Sequence, residues 1–572
     1  MATALPQSPI ARSPMRLLGL LDRAAASHRV AILLLTIVTL LAILPGFFGI
    51  PPIDRDEALF AQISKQMVET GDYVDIRFQD QDFYKKPAGI NWLQAAVVKS
   101  AVALGMPSAM NSIWAYRIPS LIGAVAAVLL AYWTALAFVG RRPAVLAALM
   151  LAVSVMFDLQ GRLARTDEVL MAVFLAALGA MARIYLAERR APGSVKGRLL
   201  PAVFWTAMAA GVLLKGPFIL LFMGLIAAVL VVTDRSIRWL WALRPIPGVV
   251  WLVILLLPWV AAIVSRSGMS FFADSIGHDM LGKVAEGQET HGAPPGYYLV
   301  LFIVTFFPAA VLAALAAPRV WALRREAWVR LLLAWIVPAW IIFELVPTKL
   351  PHYVLPLYPA IAILIAEAVE SGKLSRNRWL VLGTVGWFLI PLILSAVAIA
   401  GLTYLTGDLG LLAWPFALAA VVLGFLAWRR YGSEGAETAL LRASAASILM
   451  GIAVAGIAFP AMTPLFPSVQ LARVVETADC THPMAASVGY DEPSLVFLLG
   501  TETKLTDPFG AVDFLKPGGC RFAFVDSQLE PFFTKQAEKQ GLHLRRGPVI
   551  EGINYSKGRR ISMVAFRPAA AP

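Results

Sequence analysis

Cysteine and charge are what this chain has least of. Only two of its 572 residues are cysteines, Cys480 and Cys520, and both fall in the last fifth. A disulfide is therefore open to that region alone, and only if it lies outside the cytoplasm; two unrelated buried thiols are the alternative. Charged residues make up 15% of the chain, hydrophobic ones 59%. A soluble domain carries about a quarter charged residues, so this composition excludes one and indicates an integral membrane protein. The formal net charge is +13, yet no basic run is interleaved with aromatics. That excludes nucleic acid as the reason for the charge and leaves the lysine and arginine excess of cytoplasmic loops. No small-residue cleavage site of the A-x-A type follows the first apolar run, Val30–Ile50, which is read as a retained first span after a cytoplasmic segment, 1–29.

Long apolar runs are what the chain has in abundance. A span needs about 20 mostly apolar residues. Candidates cover roughly 30–50, 118–139, 143–158, 167–187, 199–214, 216–233, 247–265, 296–317, 328–346, 353–369, 379–404, 409–427 and 441–461. Thirteen spans place the pairs Arg141-Arg142, Arg189-Arg190 and Arg429-Arg430, with the other basic loops, on one side, the cytoplasmic one. Counting 88–104 as a further span would reverse every later loop. That segment contains Asn91, Gln94 and Lys99 and is read as an amphipathic helix on the membrane surface. The first external loop then runs over 51–117. It should open with a helix capped by Asp54 or Asp56, with Leu59, Phe60, Ile63 and Met67 on one face and Gly71 at its end. The predicted fold is a polytopic α-helical membrane domain, 30–462, followed by an external α/β domain, 463–572. In the latter, strands are expected at Ala486–Tyr490, Leu495–Leu499, Arg521–Val525 and Ser562–Phe566, and a helix at Glu530–Gln540.

The unusual polar groups collect in the loops on the external side. Directly after the first apolar run come Asp54, Arg55, Asp56 and Glu57, followed by Lys85 and Lys86. Later external turns contain Arg162, Arg165, Asp167 and Glu168, then Lys215-Gly216-Pro217. Beyond these come His278, Lys283 and His291, and finally Lys349-Leu350-Pro351-His352-Tyr353. Charged residues at single span ends commonly only anchor helices. Five loops with both signs of charge on one face suit a reaction with a base and an anionic leaving group. A carboxylate can take a proton from an attacking hydroxyl, and lysine, histidine and tyrosine can hold a phosphate whose charge grows as its bond breaks.

Several of these stretches resemble a known family. Asp56-Glu57-Ala58, Gly71-Asp72, Lys86-Pro87 and Trp92-Leu93 look like the first periplasmic loop of the bacterial aminoarabinose-transferase and protein-mannosyltransferase group. Arg117-Ile118-Pro119-Ser120-Leu121, Lys215-Gly216-Pro217 and Lys349 through Pro356 fit the same group. The resemblance covers most of 30–370. It implies a GT-C glycosyltransferase of the bacterial inner membrane that takes a pentosyl or hexosyl group from a polyprenyl (undecaprenyl) phosphate. Transfer would be inverting, on the periplasmic side, to lipid A or another glycan, lipid or protein acceptor. It implies Asp56 and Asp167, with Glu57, as catalytic acids, and Lys86, Lys283 and Tyr353 around the donor phosphate. Lys85, His278, His291, His352, Lys349 and Arg165 complete the candidate set. His278 matches a metal-binding histidine of the subgroup, but Lys85 stands where its partner carboxylate would be, which counts against a divalent metal. The implied partners are the donor, the acceptor and membrane lipids, with the protein a monomer. A protein O-mannosyltransferase-like enzyme is the alternative. A sugar-lipid transporter is a weaker one, because the chain has no clear internal repeat and its charges stand at span ends rather than at mid-membrane depth.

Overall fold

The computed structural model describes residues 12–275, 277, 293–478 and 480–569. Among these, six helices are long and apolar enough to cross a bilayer: Ile113–Ala135, Asp167–Arg190, Pro245–Ser267, Ala327–Leu345, Arg378–Thr406 and Tyr431–Ala461. Two further pairs qualify together but are bent, Arg141–Ala152 with Val155–Gly161 by 62° and Tyr297–Thr305 with Ala310–Leu323 by 116°. Shorter apolar helices occupy His28–Ile43, Leu199–Lys215, Phe218–Asp234 and Trp414–Arg429. The chain is a multi-pass membrane protein, and helix length alone yields six to eight spans rather than thirteen. Asp167–Arg190 is the hub, with 78% of its apolar window buried, whereas Pro245–Ser267 buries only 17% and presents the rest outward. A helix apolar all round can serve in either place; its neighbours decide.

Two span boundaries differ from those read in the sequence, for the same reason. The helix expected at 118–139 starts at Ile113, and that expected at 441–461 starts at Tyr431. Each contains charged residues on which a hydropathy window stops, Arg117 in the first and Glu434 and Glu437 in the second. Arg117 is fully buried against Glu57, and Arg442 pairs with Glu434. A buried partner lets the helix run through a charge.

The loop between the first two spans folds as a small helical layer. Helix Asp56–Thr70 buries Phe60, Ile63 and Met67 and ends at Gly71, whose φ of 75° accommodates the cap that returns its N–H to Met67 O. Neither expected aspartate caps its start: Arg55 holds the N-cap position at φ 68°, without a side-chain cap. A two-residue hairpin follows, β1 (Arg77–Phe78) with β2 (Gln81–Asp82). Helix Gly89–Ala103 is present, but Asn91 and Gln94 do not face water. Both are buried. Ser64 Oγ donates to Gln94 Oε1 at 2.6 Å, and Asn91 Nδ2 donates to Ser64 Oγ at 2.9 Å. The polar stripe is a seam between two helices, with its donors and acceptors matched internally.

The C-terminal segment forms a five-stranded sheet flanked by helices. Its strands are β3 (Met484–Val488), β4 (Lys504–Thr506), β5 (Arg521–Asp526), β6 (Leu544–Asn554) and β7 (Arg559–Pro568), in the order β4-β3-β5-β7-β6. β3 runs parallel to β4 and β5, and β7 runs antiparallel to β5 and β6. Along β5, Phe522 and Phe524 pack on one face with Leu471 and Leu495, while Ala523 and Val525 pack on the other with Val512 and Phe533. The expected strand at Leu495–Leu499 is instead a helix, Pro493–Leu499. Pro493 at its first turn is preorganised for that start, and a short apolar run cannot by itself distinguish the two states. β4 and β6 were not anticipated. Cys480 and Cys520 are bonded to each other, across a sequence separation of 40.

Candidate active site

Four consecutive residues, Asp54 to Glu57, take three different roles. Glu57 is 1% exposed and faces Arg117, which is fully buried. Arg117 donates from Nε to Glu57 Oε1 at 2.8 Å and from Nη2 to Oε2 at 2.9 Å. Its remaining donors reach the carbonyls of Phe47, Ile50 and Pro51. Glu57 also accepts from the backbone of Ile53 and Ala164. All its acceptor capacity near the chain is used, so Glu57, expected as a catalytic acid, is a buried clamp for the loop. Asp54 and Arg55 turn the other way, toward the sheet. Asp54 Oδ1 accepts from Ser494 N at 3.1 Å, its own N–H donates to Tyr555 Oη at 2.6 Å, and Arg55 Nη2 donates to Ser556 O at 2.7 Å. Burial pushes the Asp54 carboxyl up to about 7, with Glu492 adding to the rise against the Ser494 hydrogen bond.

Asp56 alone of the three acids stays open. Protein surrounds most of it, yet its side chain keeps 43% of its surface exposed. Its Oδ2 accepts from Arg165 Nη2. Arg165 also lies 3.7 Å from Asp167 Oδ2, and Lys215 Nζ donates to Asp167 Oδ1 at 2.9 Å. His352 Nε2 stands 4.0 Å from the same oxygen. Asp56, Arg165, Asp167 and Lys215 thus form one chain of alternating charge. Local backbone chemistry aims each member. Asp167 opens the hub helix, where a carboxylate meets the positive end of the helix dipole. Ser120 Oγ donates to Arg165 O at 3.0 Å and pins the turn before it. Lys215 ends its helix beside Gly216, whose φ of 67° and ψ of −152° only glycine adopts readily.

The electrostatics follow from this crowding. Burial works against the Asp56 charge, but Lys86 and Arg165 outweigh it and hold the carboxyl well below its usual range. Burial pushes Lys86 down to about 8 against the attraction of Asp56; its ammonium lies 4.6 Å from the centre of the Phe60 ring. Burial pushes His352 down to about 3, so at neutral pH its imidazole is uncharged and serves Asp167 as a polar neighbour. The cluster offers an ionised carboxylate beside a titratable ammonium, which suits handling a hydroxyl and a phosphate together.

The other sequence candidates divide clearly. Tyr353 packs edge-on against His352 with ring centres 5.2 Å apart, which puts it beside the cluster. Lys349 does not join it: Nζ is committed to the carbonyls of Ala293 and Val346 at 2.9 and 3.0 Å. Lys85 is exposed, with its ammonium over Phe83 at 5.3 Å. His278, Lys283 and His291 lie outside the described residues. Among the described residues no three His, Cys, Asp or Glu side chains converge as a metal site requires. Lys215 was missed as a site residue, although its Lys-Gly-Pro turn at a span end was visible in the sequence.

Comparison with known proteins bears on the fold. Over 93% of its length the chain superposes on ArnT from Cupriavidus metallidurans bound to undecaprenyl phosphate, with TM-score 0.68 and 19% identity, covering 97% of that chain. The fold is GT-C. The same fold relates it to the archaeal oligosaccharyltransferase AglB from Archaeoglobus fulgidus, at TM-score 0.51 and 11% identity over 95% of this chain and 74% of the other. By sequence, residues 105–267 match the family of dolichyl-phosphate-mannose-protein mannosyltransferases. The undecaprenyl phosphate-alpha-4-amino-4-deoxy-L-arabinose arabinosyl transferase of Edwardsiella ictaluri is 28% identical over 359 residues, 60% of this chain and 62% of the relative. The chain thus spans about three-fifths of that relative's length in the alignment. The GT-C chain resembles the aminoarabinose transferases in fold and in sequence.

Proposed function

We propose that this protein is a glycosyltransferase that moves a sugar from an undecaprenyl phosphate donor to lipid A or another glycan acceptor. The observation that carries the reading is the Asp56–Arg165–Asp167–Lys215 chain with Lys86 beside it, on a fold whose relatives are named for undecaprenyl phosphate-linked transfer. The acceptor oxygen attacks the anomeric carbon opposite the lipid phosphate; the bond to the phosphate breaks and the configuration inverts. Asp56 takes the proton or orients the attacking group. Lys86 and Tyr353, with Lys283, neutralise the departing phosphate. Asp167 holds Arg165 and thereby the direction of Asp56.

In this reading the short and bent helices count as spans, as does helix Tyr358–Glu370, which makes thirteen. The N-terminal segment 1–29 is then cytoplasmic, and the site and the domain 463–572 are periplasmic, in a bacterial inner membrane. The domain 30–462 works as a monomer. A protein acceptor is the second reading, favoured by the mannosyltransferase match over 105–267. The test uses the full chain in lipid nanodiscs with a panel of undecaprenyl phosphate sugars and lipid A, products being identified by mass spectrometry. Asp56→Asn should lower turnover by roughly 10²–10⁴-fold with donor binding retained. A fully active Asp56→Asn enzyme would remove the assigned role, and no transfer from any donor would remove the function.

A further inference from the structure

The sheet holds a cleft that the proposed chemistry does not use. It measures about 590 Å³, and its walls include Gly489, Asp491, Asp507, Leu529, Lys557 and Arg559. That volume is in the range of small-molecule sites. Its position follows from topology. β3 has parallel neighbours on both sides, and the helices of the two connections, Pro493–Leu499 and Pro508–Leu515, pack on opposite faces of the sheet. Such a reversal opens a crevice beyond the carboxyl ends of the strands, where open α/β sheets bind ligands. Gly489 ends β3 at φ 85°, and a Cβ there would meet Asp526 Cβ at 2.9 Å, so the backbone itself shapes the floor.

The lining chemistry selects the ligand class. Lys557 pairs with Asp491 across the mouth, with 41% and 58% of their side chains exposed. Arg559 Nη2 donates to Gly489 O at 2.8 Å and lies 3.5 Å from Asp526 Oδ2. Asp507 spends Oδ1 on Gly510 N, which leaves Oδ2 available. Carboxylates and cations therefore alternate. A phosphate would meet the two lining carboxylates, Asp491 and Asp507, whereas a hydroxyl both donates and accepts and is matched by alternating charges. Apolar surface adjoins the cleft: Phe509, next in the chain to the lining residue Pro508, is 45% exposed and meets Phe532, 48% exposed, with ring centres 5.1 Å apart. Exposed rings beside paired polar groups suit the C–H face of a pyranose.

Chain segments that line the cleft also hold the loop before Asp56. Tyr490, between Gly489 and Asp491, and Ser494, three residues past Asp491, hold the Asp54 carboxylate. Tyr555 and Ser556, next to Lys557, hold Asp54 N and Arg55 Nη2. We propose that this cleft is a saccharide-binding subsite, taking an uncharged, hydroxyl-rich sugar unit of the acceptor glycan. The assignment to the acceptor rests on the glycosyl-transfer reading; the binding of a saccharide does not.

Saturation-transfer NMR on the full chain in nanodiscs tests it, with glucose, galactose, mannose, N-acetylglucosamine and heptose as probes. At least one is expected to give transfer signal. The exposed substitutions Asp491→Asn and Phe509→Ala should each weaken its binding about tenfold, and Phe532→Ala should act likewise. Silence from all five sugars, or binding unchanged in the three variants, overturns the proposal. Undecaprenyl phosphate binding is measured on the same wild-type sample. Its absence with sugar binding intact would remove the donor reading and leave the cleft; the reverse would remove the cleft alone.

Discussion

Replacing Glu57 separates structure from chemistry at the loop that presents Asp56. Glu57 and Arg117 are buried to 1% and 0% exposure. In Glu57→Gln the guanidinium keeps its charge and loses its counter-charge. Breaking one side of a buried pair typically costs ~3–5 kcal/mol, because an uncompensated charge remains. Arg117→Met leaves the carboxylate uncompensated and also orphans the carbonyls of Phe47, Ile50 and Pro51, each at about 1–3 kcal/mol. It should therefore be the more damaging change. The double variant should be less destabilised than the two singles added together, since no buried charge is then left alone. Unfolding in detergent, followed by tryptophan fluorescence against denaturant, measures all three. Turnover per folded molecule is measured in parallel, and Glu57→Gln should keep most of it at a temperature where the variant remains folded. A Glu57→Gln protein as stable as wild type but inactive would refute the clamp and restore Glu57 as a catalytic acid.

Other outcomes follow from the same geometry. Lys86 carries its charge below about pH 8, so donor-phosphate affinity should fall as pH rises through that value. Lys86→Arg, which does not deprotonate, should flatten the profile, and a wild-type profile flat to pH 10 would contradict the assignment. Asp54 is raised to about 7 in the fold from 3.8. The folded state therefore binds more protons between these values, and its contribution to docking the sheet declines as pH rises from about 4 to 7. Asp54→Asn should remove that decline, read as hydrogen exchange at the sheet–loop contact across the same pH window. Cys480→Ser opens the loop closed by the bond to Cys520, whose sequence separation is 40. The C-terminal segment should lose about 4 kcal/mol of stability, visible as limited proteolysis confined to it.

The candidate site was legible where a residue type had to stand at a span end. Asp56, Lys86, Arg165 and Asp167 stood out with their neighbours because charge near an apolar run is costly and therefore informative, and the family resemblance singled out Asp56, Lys86 and Asp167 among them. Glu57 could not be told from Asp56 in the same way. Adjacent residues on a helix point about 100° apart, and only the arrival of Arg117, 60 positions later, decides which of the two is sealed. Asn91 and Gln94 misled for the same reason: their partner is Ser64 on another helix.

The sequence by itself determined that the chain lives in a membrane, where the first long loop begins, and that its C-terminal segment has an α/β character of its own. These are properties of composition and local period, which need no partner. The tertiary structure alone decided that Asp167 is held between Arg165 and Lys215 and that the Asp54 carboxyl binds the C-terminal segment rather than capping a helix. It also decided that the reversal at β3 opens a cleft. Each depends on residues brought together from distant stretches of the chain, and pairing at a distance leaves no periodic trace in either partner's neighbourhood.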